Sequence, residues 1–122
     1  MIAFISGHLD ITPSEFAENY ALSISAAIDN GDSFVVGDAR GADVIAQMCF
    51  AELKSSFPNL KVEVFHMFDF PRNNYGHFPT KGGFQSDDER DAAMTAASDY
   101  DIAWVRPGRE KSGTAKNLNR RN

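Results

Sequence analysis

Apolar residues fall along this chain in two alternating patterns, short unbroken runs and stretches at helical spacing. Ile2-Ala3-Phe4-Ile5-Ser6 is an unbroken run and predicts a buried strand. Thr12-Pro13-Ser14-Glu15 then offers an N-cap, a proline at the first helical position and a capping-box glutamate. Phe16, Tyr20, Ile24, Ala27 and Ile28 recur at helical spacing, and Asn30-Gly31 predicts where that helix stops. Residues 33–37 (SFVVG) read as a second strand. Ala42, Ile45, Ala46, Cys49 and Leu53 line the predicted buried face of a second helix, which ends before Pro58. Residues 61–67 predict strand three. Ser86 to Glu89 is another capping box, opening an alanine-rich helix through Ala97 whose small side chains predict close packing. Residues 100–105 predict strand four, and a short helix from about Ser112 closes the chain.

Strands alternating with helices at this spacing predict a parallel sheet with right-handed crossovers. The expectation is one α/β domain over residues 1–122, Rossmann-like, with four or five mainly parallel strands and helices on both faces. In such sheets ligands bind beyond the carboxyl ends of the strands, where helix N-termini point backbone N–H groups outward. Ser6-Gly7-His8, Gly37 to Asp43, the loop after Met67, and Pro107 to Thr114 all fall there. Gly37 and Gly41 bracket Asp38-Ala39-Arg40. Glycines permit close approach, Arg40 can pair with a phosphate, and Asp43 can orient Arg40 or accept ribose hydroxyls. The plainer alternative is a turn capped by Asp38 with a surface Arg40–Asp43 pair. Lys111-Ser112-Gly113-Thr114 repeats the device, with Ser112 as cap, Gly113 open to close approach and Thr114 offering a hydroxyl. His8 can stack on or hydrogen-bond a ligand. Residues 68–83 form a longer connection than compact domains usually carry, and Phe68, Phe70, Tyr75, His77 and Phe78 suit a lid over a flat group.

Charge sharpens the picture. Residues 1–105 hold 6 basic against 16 acidic side chains, a net of −10, whereas residues 106–122 hold 6 basic against Glu110 alone, a net of +5. The acidic body argues against nucleic acid as a partner. The basic end either steers one anionic ligand or is simply solvated. No apolar run approaches the roughly 18 residues of a membrane span, so no membrane partner is expected. The lone Cys49 gives no disulfide framework and predicts a reducing, cytoplasmic setting, with Cys49 as a small core residue. His8, His66 and His77 are scattered, so the sequence calls for no metal and no cofactor. Apolar faces on both helix layers leave room for a second copy of the chain as a partner.

Four segments carry a resemblance: residues 4–8 (FISGH), 37–43 (GDARGAD), 89–94 (ERDAAM) and 106–114 (RPGREKSGT). In this order they look like the SLOG superfamily of Rossmann-like nucleotide-binding proteins, which includes the LOG-type phosphoribohydrolases and a branch of small bacterial and phage proteins. The resemblance implies a nucleotide or nucleotide-derived ligand touched by Ser6, Gly7, His8, Gly37, Asp38, Ala39, Arg40, Gly41, Asp43, Arg90, Ser112, Gly113 and Thr114. In LOG-type enzymes the arginine matching Arg90 works with a glutamate two or three residues past the Gly-Thr to cleave an N-glycosidic bond. Nucleoside deoxyribosyltransferases place a glutamate similarly. Here those positions are Lys116 and Asn117, so the ligand site carries over and the hydrolase activity does not. Were a bond broken, Arg90 and Glu89 are the catalytic candidates; Asp91, Asp38 and Asp43 are other carboxylates in reach, and Glu89 already serves the capping box. Three functions follow: a nucleotide sensor or carrier first, an enzyme of the N-glycosidic bond second, and a non-catalytic interaction protein third.

Overall fold

The computed structural model describes residues 1–121. The elements follow in the order β1 (Ile2–Ser6), α1 (Pro13–Asp29), β2 (Ser33–Val36), α2 (Ala42–Leu53), β3 (Val62–Met67), β4 (Thr80–Phe84), α3 (Asp87–Ala97), β5 (Tyr100–Ala103) and α4 (Gly113–Arg121). All five strands run parallel in one sheet of order β4-β3-β2-β1-β5. The chain steps outward from β1 to β4, then returns through α3 to lay β5 against the other side of β1. The reversal opens a crevice at the carboxyl ends of β1 and β5, where open α/β sheets place their ligands.

Side chains alternate across the pleat, so each central strand feeds two cores. Ala3, Ile5, Phe34 and Val36 pack with Phe16, Tyr20 and Ile24 of α1 and with Ala42, Ala46 and Phe50 of α2. Phe4, Val35 and Phe65 face the other way onto Met94 of α3. Each fully buried large apolar side chain contributes roughly 1.5–3 kcal/mol. The helices therefore cover both faces. No helix among the described residues is long and apolar enough to cross a membrane.

α1 follows its sequence pattern closely. The Thr12 side chain accepts from the Glu15 amide at 3.1 Å, Glu15 accepts from the Thr12 amide at 3.0 Å, and Asn30 caps the other end. α2 is turned relative to expectation. Its buried residues are Ala42, Asp43, Ala46, Gln47 and Phe50, while Cys49 is only half-buried. The polar pair is drawn inward by hydrogen bonds that the apolar spacing does not announce. α3 also departs from expectation: Arg90 and Met94 are its buried residues, and Ala92, Ala96 and Ala97 are exposed. Alanine there supports helix formation rather than close packing.

β4 was not expected. Its sequence, Thr-Lys-Gly-Gly-Phe, has little apolar content because it is an exposed edge strand. Gly82 is required there, since a Cβ would stand 2.1 Å from the His66 ring. The segment between β3 and β4 crosses without a helix, and Phe78 packs on the α1/α2 core in its place.

Candidate functional site

A cleft of about 490 Å³ lies at the crevice, between the end of β1, the starts of α2 and α4, and one side of α3. That volume falls in the range of small-molecule sites. Ser6, Gly7, His8, Ala39, Arg40, Asp43, Arg90, Ser112, Gly113 and Thr114 all line it, so four segments separated in sequence converge as expected. Gly37, Asp38 and Gly41 stand behind the wall and Glu89 lies off the cleft; none of the four is among its lining residues.

The glycines of the GDARGAD turn make room for the protein itself rather than for a ligand. A Cβ on Gly37 would sit 2.5 Å from the Asp43 carboxylate and 3.0 Å from the Arg90 guanidinium carbon. Gly41 has φ +77°, and a Cβ there would meet the His8 and Leu9 carbonyl oxygens at 2.5 Å. This close approach lets the Ala42 amide donate to the His8 carbonyl at 3.2 Å, which fixes the start of α2 against the end of β1. Gly41 is the N-cap and supplies no side-chain acceptor. Neither Asp38 as cap nor an Arg40–Asp43 surface pair is present; Asp43 turns inward and accepts from the Ala39 amide at 3.1 Å.

Asp38 is the hub behind that wall. Its buried carboxylate accepts from Arg90 at 2.8 Å and from the Arg72 guanidinium at 2.9 and 3.2 Å, and the Arg72 amide donates at 2.8 Å. Burial opposes its charge, yet the Arg72 contacts hold its carboxyl below the ordinary range. Arg90 is spent on the same network: besides Asp38 it pairs with Asp87 at 3.1 Å and Asp91 at 2.8 Å. Arg90 is therefore a buried counter-ion, and its guanidinium is not free to hold a phosphate. Arg72 was missed by sequence reasoning, because a single arginine in a long loop carries no spacing signal.

Asp43 and Asp91, two of the carboxylates on the cleft wall, differ in their surroundings. Asp43 is buried, and desolvation pushes its carboxyl up to about 7, outweighing the attraction of Arg90. Asp91 is ion-paired with Arg90, and its other oxygen accepts from Asn117 at 3.3 Å. The carboxylate beside the Asn117 position thus comes from α3. Glu89 instead accepts from the Gln85 amide at 3.0 Å in the cap of α3. His8 is also structural: its Nε2 accepts from the Arg106 amide at 2.8 Å, and burial together with Arg106 and Arg109 lowers its pKa. That bond makes the ring the neutral Nδ1–H tautomer.

The rim is where positive potential is left over. Ser112 accepts from the Ala115 amide at 3.2 Å, so it caps α4 as expected. The Gly113 and Thr114 amides make no backbone hydrogen bond among the described residues, and a Cβ on Gly113 would meet nothing within 4 Å. Arg40 is exposed and forms no ion pair among the described residues. The basic C-terminal segment, by contrast, is stapled down. Arg106 pairs with Asp10 and Glu15, Arg109 with Asp10, Lys116 and Arg120 with Asp88, and Arg121 with Asp101. The Arg106 and Arg109 pairs close the segment after β5 against the loop after β1 and the start of α1, and the other three tie α4 to α3 and β5.

The loop after β3 is a strap, not an aromatic lid. Phe68, Phe70 and Tyr75 are exposed and none of the loop's aromatic rings lines the cleft; Arg72 is its one contribution there. The strap is pinned by Gln47, which donates to the Asn73 carbonyl at 3.1 Å and accepts from the Tyr75 amide at 3.0 Å, and by Lys54, which donates to the Gly76 carbonyl at 2.7 Å. No group of three or more His, Cys, Asp or Glu side chains placed to hold a metal ion occurs among the described residues. No protein-family model matches this chain, and no curated protein matches it.

Proposed function

We propose that the chain binds a phosphorylated, nucleotide-class ligand in this cleft, as a sensor or carrier. One observation carries the reading: Arg72, Arg90 and Arg109 on the cleft are each committed to aspartates, and Arg40 at the same cleft is exposed and uncommitted. An unpaired guanidinium beside the first turns of two helices is suited to a phosphate, because the N–H groups and the helix dipoles favour negative charge at the same place. The order of motifs resembling the SLOG superfamily supports the same ligand class. A thermal-shift series with nucleoside mono-, di- and triphosphates, nicotinamide dinucleotides, ADP-ribose and cyclic nucleotides tests it. At least one compound is expected to stabilise the wild type and to lose that effect in Arg40→Ala. Stabilisation by none of them, or stabilisation unchanged in Arg40→Ala, would overturn the reading.

A second reading is cleavage of the ligand's N-glycosidic bond. It is favoured by Asp43 and Asp91 sharing one cleft wall, the Asp43 carboxyl buried and pushed up to about 7 and the Asp91 side chain paired with Arg90 at 2.8 Å. Two carboxyl groups at one cleft, one of them desolvated, suit the acid and carboxylate roles around a developing oxocarbenium ion. Release of free base during incubation with the stabilising nucleotide, abolished in Asp91→Asn, is the outcome this reading requires.

A further inference from the structure

On the sheet face opposite α3, the helices α1 and α2 leave an apolar groove between them. It has a volume of about 490 Å³ and shares no lining residue with the cleft. Ala17, Ala21 and Ile28 of α1 form one wall, and Ile45, Cys49 and Leu53 of α2 the other. The small Ala17 and Ala21 keep it open. Leu22 and Met48, the chain neighbours of Ala21 and Cys49, are exposed, as is Phe57 on the groove wall. A contiguous apolar strip of this kind on an exposed helix pair marks a surface that docks protein.

Charge says which kind of protein. Neither α1 nor α2 carries a Lys or Arg, whereas Glu18, Asp29 and Glu52 are exposed. None of these three acids forms an ion pair among the described residues. Both helices link parallel strands, so they end at the same edge of the sheet, and the last turn of each holds an acid and no base. A helix C-terminus is already the negative end of its dipole, so Asp29 and Glu52 add charge where it is least favourable. Lys54, the cap of α2, donates instead to the Gly76 carbonyl at 2.7 Å. Two-fold pairing of these helices with those of a second copy would set acids against the same acids and supply no base.

We infer that the groove docks an amphipathic helix of another protein, one whose apolar stripe is flanked by Lys or Arg, with those cations at the C-terminal ends of α1 and α2. The 17 residues of α1 offer a seat about 25 Å long, room for a helix of about four turns. The inference is independent of what the cleft binds.

Calorimetric titration of the full chain with a leucine–lysine peptide of about 14 residues, apolar at helical spacing, tests this against the same peptide with glutamate for lysine. The lysine peptide is expected to bind at least about tenfold tighter. In ¹⁵N–¹H spectra it is expected to move the amides of Ala21, Leu22, Cys49 and Leu53 first. Ala21→Glu is the decisive variant, because it fills the groove yet makes the chain more acidic. Ala21 is exposed and glutamate favours helix, so the fold is retained. Docking predicts about tenfold weaker binding of the lysine peptide in that variant. Mere attraction of a cation to an acidic body predicts binding unchanged or tighter, and that result would overturn the inference. Equal binding of the two peptides, or binding of neither, would overturn it as well. So would sedimentation showing a dimer that Ala21→Glu dissociates, since the groove would then belong to a second copy.

Discussion

At the scale of single residues, the turn after β2 is an electrostatic assembly whose parts are not interchangeable. Arg90 is buried among Asp38, Asp87 and Asp91, so Arg90→Ala leaves uncompensated buried charge and is expected to lower unfolding free energy by about 3–5 kcal/mol in a urea titration. Loss of function in that variant would report unfolding rather than chemistry. Gly37→Ala forces a methyl onto Asp43 and Arg90 and is expected to cost about 1–3 kcal/mol in the same titration. Arg40→Ala, exposed and unpaired, is expected to change stability by less than about 0.5 kcal/mol, which makes it the clean probe of binding. Asp43 adds a pH signature. Its carboxyl is raised to about 7 in the fold, so its protonated form stabilises fully below about pH 4 and that contribution is lost as pH rises through 7. His8 works in the opposite sense: its lowered pKa supplies stability above about 6.5 that is lost on acidification. Comparing wild type with Asp43→Asn isolates the first effect. Between pH 5 and 7 the wild type should lose stability relative to Asp43→Asn by up to about 1.4 kcal/mol per pH unit. A constant difference across that range would show that Asp43 is ionised throughout.

At the scale of elements, the strap between β3 and β4 shows where sequence reading runs out. Aromatic content and length point to a lid, but the segment replaces a crossover helix and its polar groups are tied to α2. Gln47 is the tie, holding the Gly37 and Asn73 carbonyls and the Tyr75 amide. Gln47→Ala is expected to speed hydrogen exchange at the Tyr75 amide strongly while exchange in β1 and β2 changes little. Unchanged protection at Tyr75 would mean the strap is held by Lys54 and Phe78 instead. The α1 caps and its buried stripe were legible because local chemistry determines them. The α2 stripe was misjudged because Asp43 and Gln47 are buried by partners 4 to 28 residues away, which no apolar periodicity encodes. β4 was illegible for a related reason: an exposed edge strand needs no apolar alternation, and Gly82 answers to the His66 ring.

At the scale of the whole molecule, the α/β class and the convergence of four loops at one sheet edge followed from element order and topology alone. Ten of the thirteen expected ligand-side residues line the cleft, and the three that do not, Gly37, Asp38 and Gly41, build the wall behind it. Charge was legible as a total but not as a pattern. Five of the six basic side chains of the C-terminal segment pair with carboxylates of the body, and the unpaired cation lining the cleft, Arg40, lies in the first third of the chain. The account therefore stands on Arg40 and the start of α4. The measurement that tests it most directly is a ¹⁵N–¹H correlation titration with the nucleotide that gives the largest thermal shift. The amides of Arg40, Gly113 and Thr114 are expected to move first and furthest, and Arg40→Ala to abolish those shifts. Perturbations centred elsewhere, such as the groove between α1 and α2, or shifts that survive Arg40→Ala, would contradict the account.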